Sequence, residues 1–263
     1  NYINIVKNGN KVDLILLENN KKVGELEISI FRNIFSYRDN FVAKYDEKSG
    51  ELKIVTNVRL HGHTGYSLLD STIKVKDLVK KTVYSTAITD HGVLYGVLDF
   101  YKEMKENHNK PIIGFEAYTE SISGVKDKRH LVLLAKNKIG FENLSKLSSF
   151  AHKNYGGKFP QRPLVKYEWL EKYSEGIIAL SACIGGEIPQ AILKGDLDLA
   201  YKIAKNFKRI FGEDFYLEIQ RHYIDVEKSI NKEILKIGQE LGIKVVATDD
   251  AHYLNEDDAL AHE

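Results

Sequence analysis

An α/β domain of parallel βα units, preceded by a small antiparallel β region, is the fold class this sequence predicts. Three observations predict it. From residue 57 onward, short β-branched or aliphatic runs alternate with longer stretches of helical periodicity. Residues 1–56 instead alternate apolar and polar positions at a period of two, as in Leu26, Ile28 and Ile30. The 263 residues, 43% hydrophobic and 29% charged, are enough to bury a full core and are far from the composition of a disordered chain. Two regions follow, 1–56 and 57–263.

In residues 1–56 the turn signals Asn8-Gly9, Asn19-Asn20 and Ser49-Gly50 punctuate the alternation, which reads as a small meander. Phe41 to Thr56 reads as one hairpin around Ser49-Gly50. No catalytic phrase occurs in this region. Seven strand-like runs follow: Val58 to Leu60, Thr86 to Thr89, Ile112 to Tyr118, Leu131 to Ala135, Ile177 to Ser181, Phe215 to Gln220 and Ile243 to Thr248. The clearest amphipathic helices between them span Leu94 to Asn107, Leu197 to Phe211 and Val226 to Leu241, with Gly242 restarting the chain into the last strand. Alternating strand and helix predicts parallel βα units. Seven units fit either an open doubly wound sheet or a closed barrel, and periodicity does not choose between them. Asn154 to Pro163, rich in Gly, Pro and cations, reads as an exposed loop.

Composition excludes several function classes. The longest strongly apolar stretch near the start, Leu14 to Leu17, is far too short for a membrane span, so no membrane partner is expected. The 38 basic residues nearly cancel the 37 acidic ones, so nucleic-acid binding would have to be local. One cysteine, Cys183, forms no intrachain disulfide and points to a reducing compartment, the cytoplasm. With no initiator Met, and an end at Ala261-His262-Glu263 inside a helix expected to open at Asn255, the chain is expected to be a fragment of something longer.

Polar phrases stand at the ends of the runs. The first ends in His61-Gly62-His63, and alternate residues of an extended segment face one way, so both imidazoles aim at one point. Asp250 and His252 repeat the arrangement after the last run. Thr89-Asp90-His91-Gly92 follows the second run, Glu116 sits within the third, His130 opens the fourth, and Cys183 follows the fifth. Singly, a histidine at a strand end is ordinarily a satisfied polar residue, and a lone buried cysteine a small hydrophobe. Together they are another matter, because parallel βα architectures bring the C-terminal strand ends to one crevice. Such an N/O/S set suits Zn, Mn or Fe and exceeds the needs of one tetrahedral ion. A cluster of two or three divalent ions is expected, an arrangement typical of phosphoester hydrolysis.

These phrases resemble the PHP (polymerase and histidinol phosphatase) domain, in the branch carried by bacterial DNA polymerase III alpha subunits. The resemblance rests on His61-Gly62-His63-Thr64, Ser67-Leu68-Leu69-Asp70, Thr89-Asp90-His91-Gly92, Pro111 to Glu116, Arg129-His130-Leu131, Ser181-Ala182-Cys183, Gln220-Arg221-His222 and Asp250-Ala251-His252-Tyr253. It covers residues 57–263 and implies a distorted seven-stranded (β/α)7 barrel with metals at the C-terminal face. It further implies that His61, His63, Glu116 and Asp250 hold one ion and that Glu116 bridges to a second held by His130 and Cys183. Asp70, His91 and His252 would hold a third. Glu116, Asp250 and His222 would carry the chemistry, with Asp90 and His222 orienting ligands or a phosphate.

The implied activity is a proofreading 3′ to 5′ exonuclease acting on a DNA 3′ end. The implied partners are the remainder of the polymerase chain, which holds the polymerising site, and replication factors. Lys158, Arg162 and Lys166 flank the loop Tyr155 to Phe159, and with Arg221 they are candidate contacts to a single strand. A histidinol-phosphate type phosphatase and an inactive, metal-braced structural module are the alternatives.

Overall fold

The computed structural model describes residues 58–82, 84–122, 128–155 and 162–261 with their side chains, and the strands within residues 2–55 and His262 by backbone. The N-terminal strands are β1 (Tyr2–Asn8), β2 (Lys11–Glu18), β3 (Lys21–Ser29), β4 (Ile34–Tyr37), β5 (Phe41–Asp46) and β6 (Glu51–Val55). They form two antiparallel three-stranded sheets, β1-β2-β3 and β4-β5-β6, where the sequence reads as one meander. The hairpin expected over Phe41 to Thr56 is the β5–β6 pair, with Asp46 opposite Glu51. Gly9, Asn19-Asn20 and Ser49-Gly50, in the expected turns, lie outside the described residues.

After residue 57 the elements are α1 (Val75–Lys81), β7 (Ser85–Ile88), α2 (Val97–Glu106), β8 (Lys110–Thr119), β9 (Arg129–Ala135), α3 (Lys138–Asn154) and β10 (Leu164–Val165). Then come α4 (Tyr167–Lys172), β11 (Ile177–Leu180), α5 (Glu187–Leu193), α6 (Leu197–Phe211), β12 (Phe215–Gln220), α7 (Asp225–Leu241), β13 (Lys244–Thr248) and α8 (Ala259–His262). Local chemistry sets the helix ends. Asn137 and Asp196 accept the backbone N–H of Gly140 and Leu199 at 3.0 Å, capping α3 and α6. Gly242, at φ 61°, closes α7 in the left-handed conformation. Asn255 and Asp258 form a reciprocal capping box at the expected opening of the last helical segment.

The strands make one mixed seven-stranded sheet in the order β10-β8-β9-β11-β12-β13, with β7 also paired to β8. Alternating strand and helix predicts parallel pairing throughout, and β9 breaks it by running antiparallel to both β8 and β11. The cause is connection length. Among the described residues no helix separates β8 from β9, and a strand that returns without a crossover returns antiparallel. The first run, Val58 to Leu60, is not a ladder strand: Arg59 bridges Thr86 and Gly62 bridges Ala251. These bridges set the 58–63 segment between β7 and the chain that leaves β13. The two-residue β10, unexpected from sequence, pairs parallel with β8 just after the expected loop.

The core lies between sheet and helices. Along α6, Ala200, Ile203, Ala204, Phe207 and Phe211 are buried at helical spacing, and Phe207 packs on Phe215 of β12 with ring centroids 5.4 Å apart. Each such large side chain contributes about 1.5–3 kcal/mol by burial. In the same core Leu131, Leu133, Leu144 and Leu147 lock β9 to α3. The sheet is thus fixed on its helix-covered face, and its strand ends are held stiffly. Among the described residues no helix is long and apolar enough to cross a membrane.

Candidate metal centre

His61 and His63 are fully buried on an extended segment pinned by hydrogen bonds from His63 N to Ala251 O (2.9 Å) and from Thr89 N to Gly62 O (3.0 Å). Their alternation sends both imidazoles inward, with Nε2 atoms 3.3 Å apart. Glu116 points from the middle of β8 to the same place. His91 follows β7, Cys183 follows β11, and Asp250 and His252 follow β13. His130 sits at the start of β9, opposite Tyr118. Because β9 runs antiparallel to β8 and β11, its start lies at the same edge as their ends, and that is why an opening residue joins the site.

Glu116 is the hub. Its Oε1 lies 3.3 Å from His61 Nε2, 3.0 Å from His130 Nδ1 and 3.7 Å from Cys183 Sγ, and its Oε2 lies 2.7 Å from His91 Nδ1 and 3.6 Å from His63 Nε2. Asp250 Oδ1 is 3.1 Å from Nε2 of both His61 and His63. Asp70 Oδ2 is 2.5 Å from His91 Nε2 and 3.3 Å from His252 Nε2. The rings of His91 and His252 both stack against His63, at 4.1 and 4.3 Å, and lie 5.9 Å from each other. Three sets of donor atoms converge within 4.8 Å: His61, His63, Glu116; Glu116, His130, Cys183; and His63, His91, His252. All nine residues expected as ligands are brought together.

The chemistry of this set fits divalent cations. Glu116 Oε2, Asp250 Oδ1 and His91 Nδ1 are buried without a hydrogen bond of acceptable geometry. Carboxylate oxygens in that condition are costly unless a cation or proton meets them. Burial opposes charge on His61, but Asp250, Glu218 and Glu116 outweigh it and raise its pKa well above the usual value. At His63 burial prevails and brings the pKa to about 4. His91 also resists burial, through Asp70 and Glu116, and rises to about 9. Burial pushes the Glu116 carboxyl up, yet His61 and His130 hold it well below the carboxylate range. Burial, reinforced by Glu116 and Asp250, pushes the Cys183 thiol well up. Protons shared among carboxylates, imidazoles and a thiol are what a cation would displace.

Backbone conformation aims several of these groups. Among the described residues the non-glycine positions with positive φ are Leu69, Ala182, Tyr223 and Asp250, each at or beside a site residue, and His108 after α2. Such conformations persist where the surroundings enforce them, and they cluster at functional sites. Gly185 is needed for close approach, since a Cβ there would sit 2.9 Å from His130 Nδ1.

Supporting residues complete the site, among them Glu218 and Ser67, for which the sequence suggests no role, and Asp90, for which it does. Glu218, buried in β12, accepts the His61 Nδ1–H at 2.8 Å, which leaves Nε2 facing the centre. Ser67 Oγ accepts from His63 Nδ1 (3.0 Å) and His91 N (3.1 Å) and donates to Asp90 (2.8 Å). Asp90 also accepts from Thr64 N at 2.6 Å and is 1% exposed, so it braces the 61–67 segment and does not face a substrate. A sequence signal for Glu218 exists, an acid on the inward face of an apolar strand, but one such residue is easily passed over.

The expected strand contacts are spread out. Arg162 lies over the Tyr118 ring at 5.6 Å, a ring that flanks His91 and His130. Lys166 instead lies over Trp169, and Arg221 over Tyr223. Lys158, like most of the Tyr155 to Phe159 loop, lies outside the described residues. His222 is tied at both ring nitrogens, Nδ1 to Glu227 (2.7 Å) and Nε2 to the Asp249 carbonyl (2.9 Å). Burial lowers its pKa, but these two acceptors raise it on balance.

The PHP domain model matches residues 59–222. The DNA polymerase III subunit alpha of Borreliella burgdorferi is 44% identical over 218 residues, covering 78% of this chain and 19% of that protein. Its counterpart from Thermus aquaticus is 41% identical over 219 residues, 78% of this chain and 18% of that protein. The chain therefore spans about a fifth of the length of these curated relatives. A solved amidohydrolase from Chromobacterium violaceum shares the fold at a TM-score of 0.52 and 13% identity, covering 76% of this chain and 89% of that one.

Proposed function

Because this chain belongs to the PHP domain family, we propose that it is a metal-dependent phosphodiester hydrolase that trims the 3′ end of a DNA strand. We place it in the cytoplasm, as part of a bacterial replicative polymerase with replication factors as partners. The observation that carries the reading is Glu116, buried and shared by two of the three converging donor sets. His61, His63, Glu116 and Asp250 would hold one ion, Glu116, His130 and Cys183 a second, and Asp70, His91 and His252 a third. Bound divalent ions supply activated water and charge stabilisation at a phosphoryl group. Glu116 fixes the spacing of the first two positions, and Glu218 and Ser67 fix the ring tautomers. His222, doubly hydrogen-bonded beside Asp250, presents positive charge where a leaving 3′ oxygen needs it. Arg162 and Arg221, each over an aromatic ring, are suited to backbone phosphate, and Lys158 belongs to the same proposal. The bridges at Arg59 and Gly62 support reading the curled sheet as a (β/α)7 barrel over residues 57–263, with 1–56 as a separate β region.

The test compares 5′-labelled single-stranded DNA with para-nitrophenyl phosphate, using protein reconstituted in turn with Zn, Mn and Fe. Shortening of DNA from its 3′ end that vanishes in Glu116→Gln is the expected result. Turnover of the small ester alone would favour a phosphatase of the histidinol-phosphate type. A fully loaded site that cleaves neither would make the ions a brace.

A further inference from the structure

Tyr223 is exposed to 85% of its surface although it stands next to His222, at the mouth of the metal centre. Among the described residues its ring meets the Arg221 guanidinium, 5.3 Å from the ring centroid. A large aromatic ring that buries nothing contributes little to the fold. Its backbone is also at φ 63°, which is unfavourable for any residue with a Cβ.

This conformation is enforced from both sides. His222 N donates to Glu227 Oε2 at 2.6 Å, and the His222 ring is held by Glu227 and the Asp249 carbonyl. Beyond Tyr223, α7 opens at Asp225, and Glu227 N returns to Ile224 O at 3.1 Å. The ring is therefore displayed from a fixed loop beside His222, with a cation against it. These hydrogen bonds account for the fixed backbone, but packing within the fold does not account for the exposure of the ring.

We propose that Arg221 and Tyr223 form a base-stacking platform for single-stranded nucleic acid, the Tyr223 ring taking the face of a base beside the reacting phosphate. The inference rests on the phosphodiesterase reading above and names the substrate class of that site. Stacking suits any base because every base has a π face, while Arg221 adds charge for the backbone. A small phosphomonoester has nothing to place on such a ring.

The test pairs a protein change with a substrate change. Binding of two short fluorescein-labelled single strands is measured by anisotropy in the presence of Mn, one made of thymidines and one of abasic residues with the same phosphates. Both carry phosphorothioate 3′ linkages to slow cleavage. Wild type is expected to prefer the thymidine strand by about tenfold, the lower part of what stacking on one ring gives. Tyr223→Ala and Tyr223→Gly should abolish that preference, Gly doing so while relieving the backbone, and Tyr223→Phe should keep it. Equal losses on both strands, or a preference intact in Tyr223→Ala, would overturn the platform. Wild-type protein that binds neither strand would overturn the nucleic-acid reading itself.

Discussion

Removing the Glu218 side chain should cost metal affinity and stability together, and the structure sets both magnitudes. Its Oε1 receives His61 Nδ1 at 2.8 Å, Gln220 Nε2 at 2.8 Å and the Thr248 hydroxyl. In Glu218→Ala, Gln220 Nε2 still donates to Thr248 Oγ1 at 3.2 Å, so the donors left with no acceptor are the His61 N–H and the Thr248 hydroxyl. At about 1–3 kcal/mol for each buried unpaired group, the metal-free protein should lose about 2–6 kcal/mol. His61 also loses the acceptor that fixes its tautomer, and such orienting partners are worth about 10–100-fold in metal affinity. Glu218→Gln keeps an oxygen for the three donors but removes the charge, so it should fall at the mild end of both ranges. Chelator competition gives the affinity, and thermal unfolding in excess chelator gives the stability. If Glu218→Ala binds metal as tightly as wild type, His61 is not oriented by Glu218 and the supporting network is misread.

Glu116→Gln should lower hydrolysis by more than the roughly hundredfold expected for an orienting partner, because the lost charge belongs to two positions at once; steady-state rates at saturating metal check this, and wild-type turnover would remove Glu116 from the bridging role. Cys183 should resist iodoacetamide in metal-loaded protein and label after chelation, read by mass spectrometry, whereas equal labelling would make it a packed hydrophobe. Gly140→Ala should destabilise the fold by at least about 1–3 kcal/mol, since a Cβ there would lie 1.8 Å from the Gly176 carbonyl oxygen and α3 must shift to admit it; a shift in the denaturation midpoint measures the effect.

What the sequence makes legible here, and what it hides, follows from what periodicity reports. Alternation along a strand reports which way side chains face, so the pairing of His61 with His63 is readable from the chain's residue order alone. The amphipathic spacing of α6 is readable for the same reason, and its bounds agree with those expected. Periodicity says nothing about strand direction. By sequence His130 is only one more polar residue beside an apolar run, and its membership of the site depends on β9 running backward. Asp70 carries no periodic signal at all. It reaches His91 and His252 because Leu69 adopts φ 63°, a conformation that no local propensity favours for leucine, and only family resemblance places it in the ligand set. Glu218 is hidden in the opposite way, inside a run whose pattern reports burial while its one acid carries no separate signal. A common cause lies behind these cases. The strands and helices are specified by hydrophobic pattern, whereas the final direction of each ligand is specified by short turns held against the pattern by hydrogen bonds to their neighbours. Asp250, on such a turn, brings its Oδ1 to 3.1 Å from Nε2 of both His61 and His63, at the place where the Glu116 carboxylate already points from its strand.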